Sequence, residues 1–203
     1  TSDAHIKNKY KFLHFDLSDR NNVKSAIEIS NPDIIIHLAA ESHVDRSISC
    51  PEIFIKSNIV GTFNLLQESL SHYENLNIKR KDSFKFYHIS TDEVFGSLKH
   101  NDFSFNEFSN YNPRSPYAAS KAASDHFVNA WHNTYGLPIL ISNCSNNYGP
   151  WQYPEKLIPL TILKALSGNQ IPIYGDGKNI RDWLHVDDHI DAINLIMNNG
   201  LIG

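Results

Sequence analysis

The chain has 203 residues, of which 41% are hydrophobic and 20% are charged, and its formal net charge is -4 at pH 7. The apolar content is sufficient for a substantial core, whereas the mild acidic balance gives no reason to expect nucleic acid or an anionic membrane as a partner. No bilayer-spanning apolar run and no secretory signal are evident, so we expect a cytoplasmic protein. Cys50 and Cys144 are too few and too far apart for a disulfide framework, and we expect both to be free, buried thiols.

Strand-like and helix-like segments alternate along the chain up to residue 150. Strands are predicted at 9–17, 32–40, 84–90 and 137–143, the second of which we expect to be buried, and helices at 22–30, 52–72 and 117–135. Pro116 favours the start of the third helix, and Gly136 favours its end. This alternation is typical of a Rossmann-like, doubly wound parallel α/β sheet with helices on both faces.

The pattern changes after residue 150, where aromatic residues and prolines become frequent. A helix is predicted at 157–167, a short strand at 171–177 and a last helix at 187–200. We therefore expect a main sheet domain over residues 1–150 and a smaller lobe over residues 151–203.

The first glycine of the chain is Gly61. The G-x-G-x-x-G loop that would hold a dinucleotide pyrophosphate is therefore missing. Either the fold is not a dinucleotide-binding one, or the chain begins after the first βαβ step.

Two adjacent acids follow the third predicted strand, in the stretch STDEVFG at residues 90–96. Phe84, Phe86, His88 and Ser90 alternate along that strand and share one face. In open parallel α/β sheets, ligands bind outside the carboxyl ends of the strands, so Asp92 and Glu93 are candidate site residues. The alternative is a solvated turn, in which acids are also common.

Tyr117 and Lys121 lie four residues apart on the helix predicted at 117–135. This spacing places both side chains on one face. A phenol has a pKa of about 10, and a nearby ammonium could lower that pKa enough to make a base of the tyrosine. The spacing alone also fits a surface pair.

Seven sequence blocks, in order, resemble the extended short-chain dehydrogenase/reductases and, among them, the dTDP-glucose 4,6-dehydratases. The blocks are HLAAESHVDRSI, SNIVGTFNLL, STDEVFG, SPYAASKAASDH, NCSNNYGP, YPEKLIPL and YGDGKNIRDWLHVDDH. STDEVFG is the block that best distinguishes the dehydratases from the related epimerases and decarboxylases, which typically lack the adjacent Asp and Glu. Phe95 and Tyr153 depart mildly from the family pattern.

The resemblance implies an NAD-dependent lyase that oxidises C4 of a nucleotide-bound glucose, eliminates water across C5 and C6, and returns the hydrogen to C6. Tyr117 would take the 4-OH proton, Thr91 would bind the same oxygen, and Lys121 would lower the Tyr117 pKa and hold the nicotinamide ribose. Glu93 would remove the C5 proton, and a protonated Asp92 would donate to the leaving 6-OH.

The resemblance also implies the binding residues, with residues 1–150 as a partial NAD-binding domain and 151–203 as part of the sugar-nucleotide lobe. Cofactor contacts are expected from Asp16, Leu17, Leu38, Ala39, Ala40, Ser42, Ser57, Ser90, Tyr117, Lys121 and Asn147. Substrate contacts are expected from Ser42, Thr91, Asn146, Lys156, Leu157, Tyr174 and Arg181. Arg181 suits a diphosphate, which a guanidinium binds bidentately.

Several alternatives remain open from sequence. UDP-glucose could replace dTDP-glucose, and an incomplete, non-catalytic binding module could replace the enzyme. We expect the chain to lack both ends of the family pattern, and therefore to bind NAD poorly and turn over little by itself. The long helices are expected to form a homodimer interface. His185 and His189 could mimic a metal pair, but we expect no metal.

Overall fold

The computed structural model of the chain describes residues 10–99, 101–173 and 175–203. The main sheet has three parallel strands in the order β1-β2-β3. These strands are β1 (Ile34–His37), β2 (Lys85–Thr91) and β3 (Ile139–Cys144). Two further strands, β4 (Asn146–Tyr148) and β5 (Trp183–His185), form a small parallel sheet that the sequence pattern did not predict.

Helices connect and follow these strands. They are α1 (Arg20–Ser30), α2 (Val44–Ser49), α3 (Pro51–Phe54), a π-helix (Ile55–Val60), α4 (Gly61–Asn75), α5 (Ile78–Lys81), a 3-10 helix (Asp92–Phe95), α6 (Pro116–Tyr135), α7 (Leu157–Leu166) and α8 (Val186–Asn199). The predicted helices at 22–30, 117–135, 157–167 and 187–200 are confirmed to within two residues at each end.

Helices cover both faces of the main sheet. Alternate residues of the buried strand β2 point to opposite faces, so each face of the strand packs in a separate cluster. Phe86 faces the core formed with α1, α4 and α6, which includes Leu66 and Trp131. Tyr87 faces the other way and packs in a second cluster with Ile193 of α8. The predicted doubly wound α/β class is confirmed.

Both ends of α6 are set by local sequence. The Ser115 hydroxyl accepts a hydrogen bond from the Ala118 backbone N–H at 3.0 Å, and Pro116 occupies the first turn. At the other end Gly136 adopts the left-handed conformation, with φ of +72°. A serine N-cap and an early proline are the expected start signals for a helix, and a terminal glycine is the expected stop signal.

The helix predicted at 52–72 is broken into three segments. The π-helix at Ile55–Val60 separates α3 from α4. Asn58, on the π-helix, is buried and binds the Glu41 backbone, donating to its carbonyl at 3.0 Å and accepting from its N–H at 2.8 Å. π-helical turns frequently occur at functional sites, and this one places Asn58 beside α6.

Four expectations about local structure are wrong. Residues 10–17 and 171–173 form no strand, because they pair with no strand of the described chain and no ladder hydrogen bonds fix them. Strand β1 is not fully buried: it lies at an edge of the described sheet, and Ile34 and Ile36 are 39% and 40% exposed. Cys50 is exposed and only Cys144 is partly buried, although both are free.

The described helices include none that is both long enough and apolar enough to span a bilayer.

Candidate active site

The acid pair lies on a single 3-10 turn that continues directly from β2. Thr91 ends the strand and caps this turn, because its hydroxyl accepts a hydrogen bond from the Glu93 backbone N–H at 3.3 Å. Gly96 ends the turn with φ of +102°, and a Cβ atom there would lie 2.6 Å from the Asn112 carbonyl oxygen. Glycine is therefore required for the chain to leave this turn.

Tyr117 lies in the first turn of α6, buried against the acid-bearing turn. Its ring makes an edge-on contact with Phe54 at 6.3 Å between centroids. Burial raises the pKa of Tyr117, and the charge of Glu93 raises it further, whereas the Thr91 side chain lowers it. The net shift is upward, so the phenol is the stable form in this arrangement.

Both acids of the turn titrate above their ordinary range. Burial raises the pKa of Asp92, and the hydrogen bond from Thr91 partly opposes this shift. Burial also raises the pKa of Glu93, and the neighbouring Asp92 charge adds to the shift, while Arg181 and Lys156 oppose it. A raised carboxyl pKa makes each group able to hold or accept a proton nearer neutral pH.

The side chain of Lys121 extends from α6 to β2 in this structure. Its ammonium donates to the Ile89 carbonyl oxygen at 2.9 Å and lies 3.4 Å from Nε2 of His88. Burial lowers the pKa of Lys121, and the charge of Asp125 opposes that shift. The lysine thus lies on the same helix face as Tyr117, but its contacts in this structure are with β2.

Asp125 is a wholly buried residue that the sequence patterns did not single out. Its Oδ2 accepts from the Ser90 hydroxyl at 2.7 Å, from the Tyr111 hydroxyl at 2.9 Å and from the Asn143 amide at 3.5 Å. Its Oδ1 lies 3.1 Å from His88 Nε2. The signal that could have found Asp125 is the repeat of tyrosine, lysine and aspartate at positions 117, 121 and 125, one helical turn apart.

Two cations of the C-terminal part approach the acid pair. The charge of Arg181 acts on both Asp92 and Glu93, and that of Lys156 acts on Glu93. Lys156 also donates to the Ser42 backbone carbonyl at 3.2 Å and lies 3.4 Å from its hydroxyl. The structure therefore brings Lys156 into contact with Ser42, although the two residues are 114 positions apart in sequence.

The residues expected to contact a dinucleotide gather at the carboxyl ends of the parallel strands. Leu38, Ala39, Ala40 and Ser42 follow β1, Ser90 lies at the end of β2, and the half-buried Ser57 is on the π-helix. This edge of a parallel sheet is where ligands bind in such folds.

Asp16 and Leu17 reach the same region from outside the sheet. The Asn64 amide of α4 donates to the Leu17 carbonyl at 2.9 Å, and a Cβ atom on Gly61 would lie 3.2 Å from the Leu17 Cβ. The exposed Asp16 carboxylate accepts from the Ser18 backbone N–H at 2.8 Å, and this bond lowers the Asp16 pKa. A fixed, ionised carboxylate suits the hydroxyls of a ribose, so these residues fit a dinucleotide.

The remaining predicted binding residues follow β3 in the chain. Asn146 and Asn147 are half-buried on β4, and the Asn147 amide donates to the Cys144 sulfur at 3.3 Å. Leu157 begins α7 and is 47% exposed. Tyr174 lies outside the described residues.

A family model described as GDP-mannose 4,6 dehydratase matches residues 1–202 of the chain. Among curated proteins, the chain is 56% identical over 194 residues to a probable dTDP-glucose 4,6-dehydratase of Sinorhizobium fredii, covering 96% of this chain and 55% of that protein. It is 50% identical over 210 residues to dTDP-glucose 4,6-dehydratase of Salmonella typhimurium, covering 100% of this chain and 58% of that protein. The chain therefore spans a little over half the length of these relatives.

The fold is also similar to that of solved structures. The crystal structure of DesIV, a dTDP-glucose 4,6-dehydratase from Streptomyces venezuelae with NAD bound, superposes with a TM-score of 0.90 at 42% identity. The match covers 100% of this chain and 59% of that one.

Proposed function

The chain belongs to the GDP-mannose 4,6 dehydratase family, and we propose from this premise that it acts as an NAD-dependent dTDP-glucose 4,6-dehydratase. The observation that carries the proposal is the acid pair Asp92 and Glu93 on one turn, adjoining Thr91 and Tyr117. The two similar relatives reported above carry the name of this activity.

The acids supply the two proton transfers of the elimination. Burial raises the pKa of Asp92, which suits this residue to carry the proton that is donated to the departing 6-hydroxyl. Burial and the Asp92 charge raise the pKa of Glu93, Arg181 and Lys156 oppose that shift, and we assign Glu93 as the base for the C5 proton. Two neighbouring carboxyl groups on one turn would thus supply an acid and a base.

Tyr117 and Thr91 act on the 4-hydroxyl. When bound, the oxidised nicotinamide supplies the hydrogen acceptor for C4 and a positive charge that favours the phenolate of Tyr117. The Thr91 side chain acts on Tyr117 and would bind the same substrate oxygen as the phenol. Tyr117 then removes the 4-hydroxyl proton as a general base.

NAD and the sugar nucleotide would be held by groups from different parts of the chain. Asp16 would bind the adenosine ribose, and Ser90 and Lys121 would lie on the nicotinamide side. Lys156 and Arg181 would bind the diphosphate of the substrate, because both cations lie near the acids and guanidinium pairs well with phosphate.

The test is an assay of 4-keto-6-deoxy sugar formation with NAD+ and either dTDP-glucose or UDP-glucose, using Glu93→Gln as the matched inactive control. Product from dTDP-glucose alone supports the proposal. Product from UDP-glucose alone would reassign the substrate. Tight binding of NAD and of dTDP-glucose without any product would favour a non-catalytic binding module.

A homodimer is a further part of the proposal. Ile53, Ile55 and Val60 on α3 and the π-helix are 45%, 52% and 39% exposed, and such side chains favour burial against a second copy. Light scattering after size-exclusion chromatography tests this, since a monomeric mass at micromolar concentration contradicts it. The cytoplasmic location stays a prediction that cell fractionation checks.

A further inference from the structure

A buried polar cluster lies directly beneath the candidate active site. It consists of His37 of β1, His88 of β2, and Lys121 and Asp125 of α6, all less than 5% exposed. Burying a charge is costly unless it is paired, so a cluster of four ionisable groups has to be balanced internally. The proposed reaction assigns a role to Lys121 alone.

The contacts around Asp125 are all made by potential hydrogen-bond donors. Ser90, Tyr111, Asn143 and His88 approach its two oxygens at 2.7 to 3.5 Å. An ionised carboxylate is acceptor-only, so this set of neighbours suits the charged form. The same contacts tie together α6, the end of β2, the loop before α6 and the end of β3.

His88 connects this carboxylate to Lys121. Its Nε2 lies 3.1 Å from Asp125 Oδ1 and 3.4 Å from the Lys121 ammonium. Its Nδ1 is buried without a hydrogen-bond partner among the described residues. The role of Nε2 depends on the tautomer, because it donates toward Asp125 when protonated and accepts from the Lys121 ammonium when it is not. Asp125 Oδ1 also lacks a hydrogen-bond partner among the described residues.

Asp125 and Lys121 lie on either side of His88, and the negative charge of Asp125 acts on Lys121 across it. The titratable groups around the ammonium are His37, His88, Cys144 of β3, and Tyr117 and Asp125 of α6 itself. Burial lowers the pKa of both histidines and raises the pKa of Cys144 and Tyr117, so these four groups are neutral at neutral pH. Burial alone would also drive Lys121 toward its neutral amine.

We propose that Asp125 is a positioning residue that keeps Lys121 cationic beneath Tyr117 and fixes the strand ends around it. The catalytic meaning of this role rests on the proposed function. The charge relationship between the two side chains does not, because it is a property of the chain without substrate. Asp125 touches no reacting atom and acts through Lys121, Ser90 and His88.

The test is a carbon-13 NMR titration of the Lys121 side chain in the 203-residue protein. The variants are Asp125→Asn, which removes the charge, Asp125→Glu, which keeps it, and Tyr111→Phe, which removes one hydrogen bond and leaves the carboxylate. Lys121→Met assigns the signal, and circular dichroism with thermal melting checks folding. We expect Asp125→Asn to move the Lys121 midpoint to lower pH, and the two controls to stay near wild type.

A pH profile of turnover provides the second readout. In Asp125→Asn we expect turnover to fall at pH values above the lowered Lys121 midpoint and to recover below it, and a midpoint one pH unit lower limits the loss to roughly tenfold, reached only above the wild-type midpoint. A purely structural role would not give recovery at low pH. Equal Lys121 midpoints in Asp125→Asn and Tyr111→Phe would overturn the proposal.

Two further outcomes remain decisive. If Asp125→Asn does not fold, the wild-type titration decides, since a Lys121 that is neutral at pH 7 contradicts the proposal and a charged one supports it. If a protein that spans the full length of the relatives dehydrates no nucleotide sugar, the proposed function fails, while the titration of the 203-residue chain still decides the role of Asp125.

Discussion

The Thr91 hydroxyl accepts a hydrogen bond from the Glu93 backbone N–H at 3.3 Å. The residue that acts on Tyr117 therefore also caps the turn that carries Glu93, the proposed base. One side chain thereby sets the position of two others. Replacing Thr91 should disturb both the turn and the phenol.

Thr91→Val keeps the shape of the side chain but removes the hydroxyl. We expect the free energy of unfolding to fall by about 1 kcal/mol because a cap is lost. We also expect kcat/KM for dTDP-glucose to fall roughly tenfold because the substrate 4-hydroxyl loses the hydrogen bond proposed for the Thr91 hydroxyl. Urea unfolding and the dehydration assay measure the two effects. Thr91→Ser retains the hydroxyl and is the control; equal losses in both variants would exclude this role.

Glu93→Gln and Asp92→Asn should each slow a different step of the dehydration. Glu93→Gln removes the base, so exchange of the C5 hydrogen with deuterated water should drop at least about a hundredfold. Asp92→Asn keeps the base, so exchange should continue while elimination of the 6-hydroxyl slows by a similar factor. Deuterium incorporation followed by mass spectrometry, with product analysis, separates the two. Loss of exchange in both variants would contradict the division of labour.

Glu93 should also affect the pH dependence of stability. Burial raises its folded-state pKa above the ordinary value of 4.5, so between these two values the folded state binds more protons than the unfolded state. Stability should therefore fall as the pH rises through that window. Relative to wild type, Glu93→Gln should be more stable above the window, and this advantage should vanish below it. Thermal unfolding from pH 4 to pH 8 checks the prediction, and an advantage that grows toward low pH would contradict it.

Leu66 and Leu195 allow the same substitution to be compared at two depths. Leu66 on α4 is 0% exposed, whereas Leu195 on α8 is 66% exposed. Leu66→Ala should reduce the free energy of unfolding by about 2 to 5 kcal/mol because it leaves a cavity. Leu195→Ala should change it by less than about 0.5 kcal/mol. Urea titration of both variants tests whether α4 forms part of the core; similar values would contradict this packing.

Sequence periodicity predicts elements well where local signals and burial agree. Strand β2 was predicted from its alternation, and α6 from its proline and glycine ends, because each of these signals acts within a few residues. Residues 10–17 and 171–173 show strand-like composition but no strand, because a strand requires a partner that local sequence does not supply. The π-helix at Ile55–Val60 was missed for a similar reason, since its polar contacts with Glu41 and α6 are tertiary.

In the candidate site, too, some residues could be predicted from sequence and others could not. The acid pair, Tyr117 and Lys121 could be predicted as site residues because they lie in short stretches that resemble the family blocks. Asp125 and His88 were missed as a pair because they come together only when α6 packs on β2. The direction of the Lys121 ammonium could not be predicted from sequence either, because the Ile89 carbonyl that binds it lies on another element.

The parallel ladders of the main sheet have a consequence for how the chain folds. Ile34 pairs with Lys85, and Phe86 pairs with Ile139, so each ladder joins residues about fifty positions apart and closes a long loop. No hairpin provides a local nucleus for the three strands. We therefore expect α4 and α6 to form early and the sheet to assemble late, with β2, which borders both neighbours, as the strand on which assembly of the sheet depends.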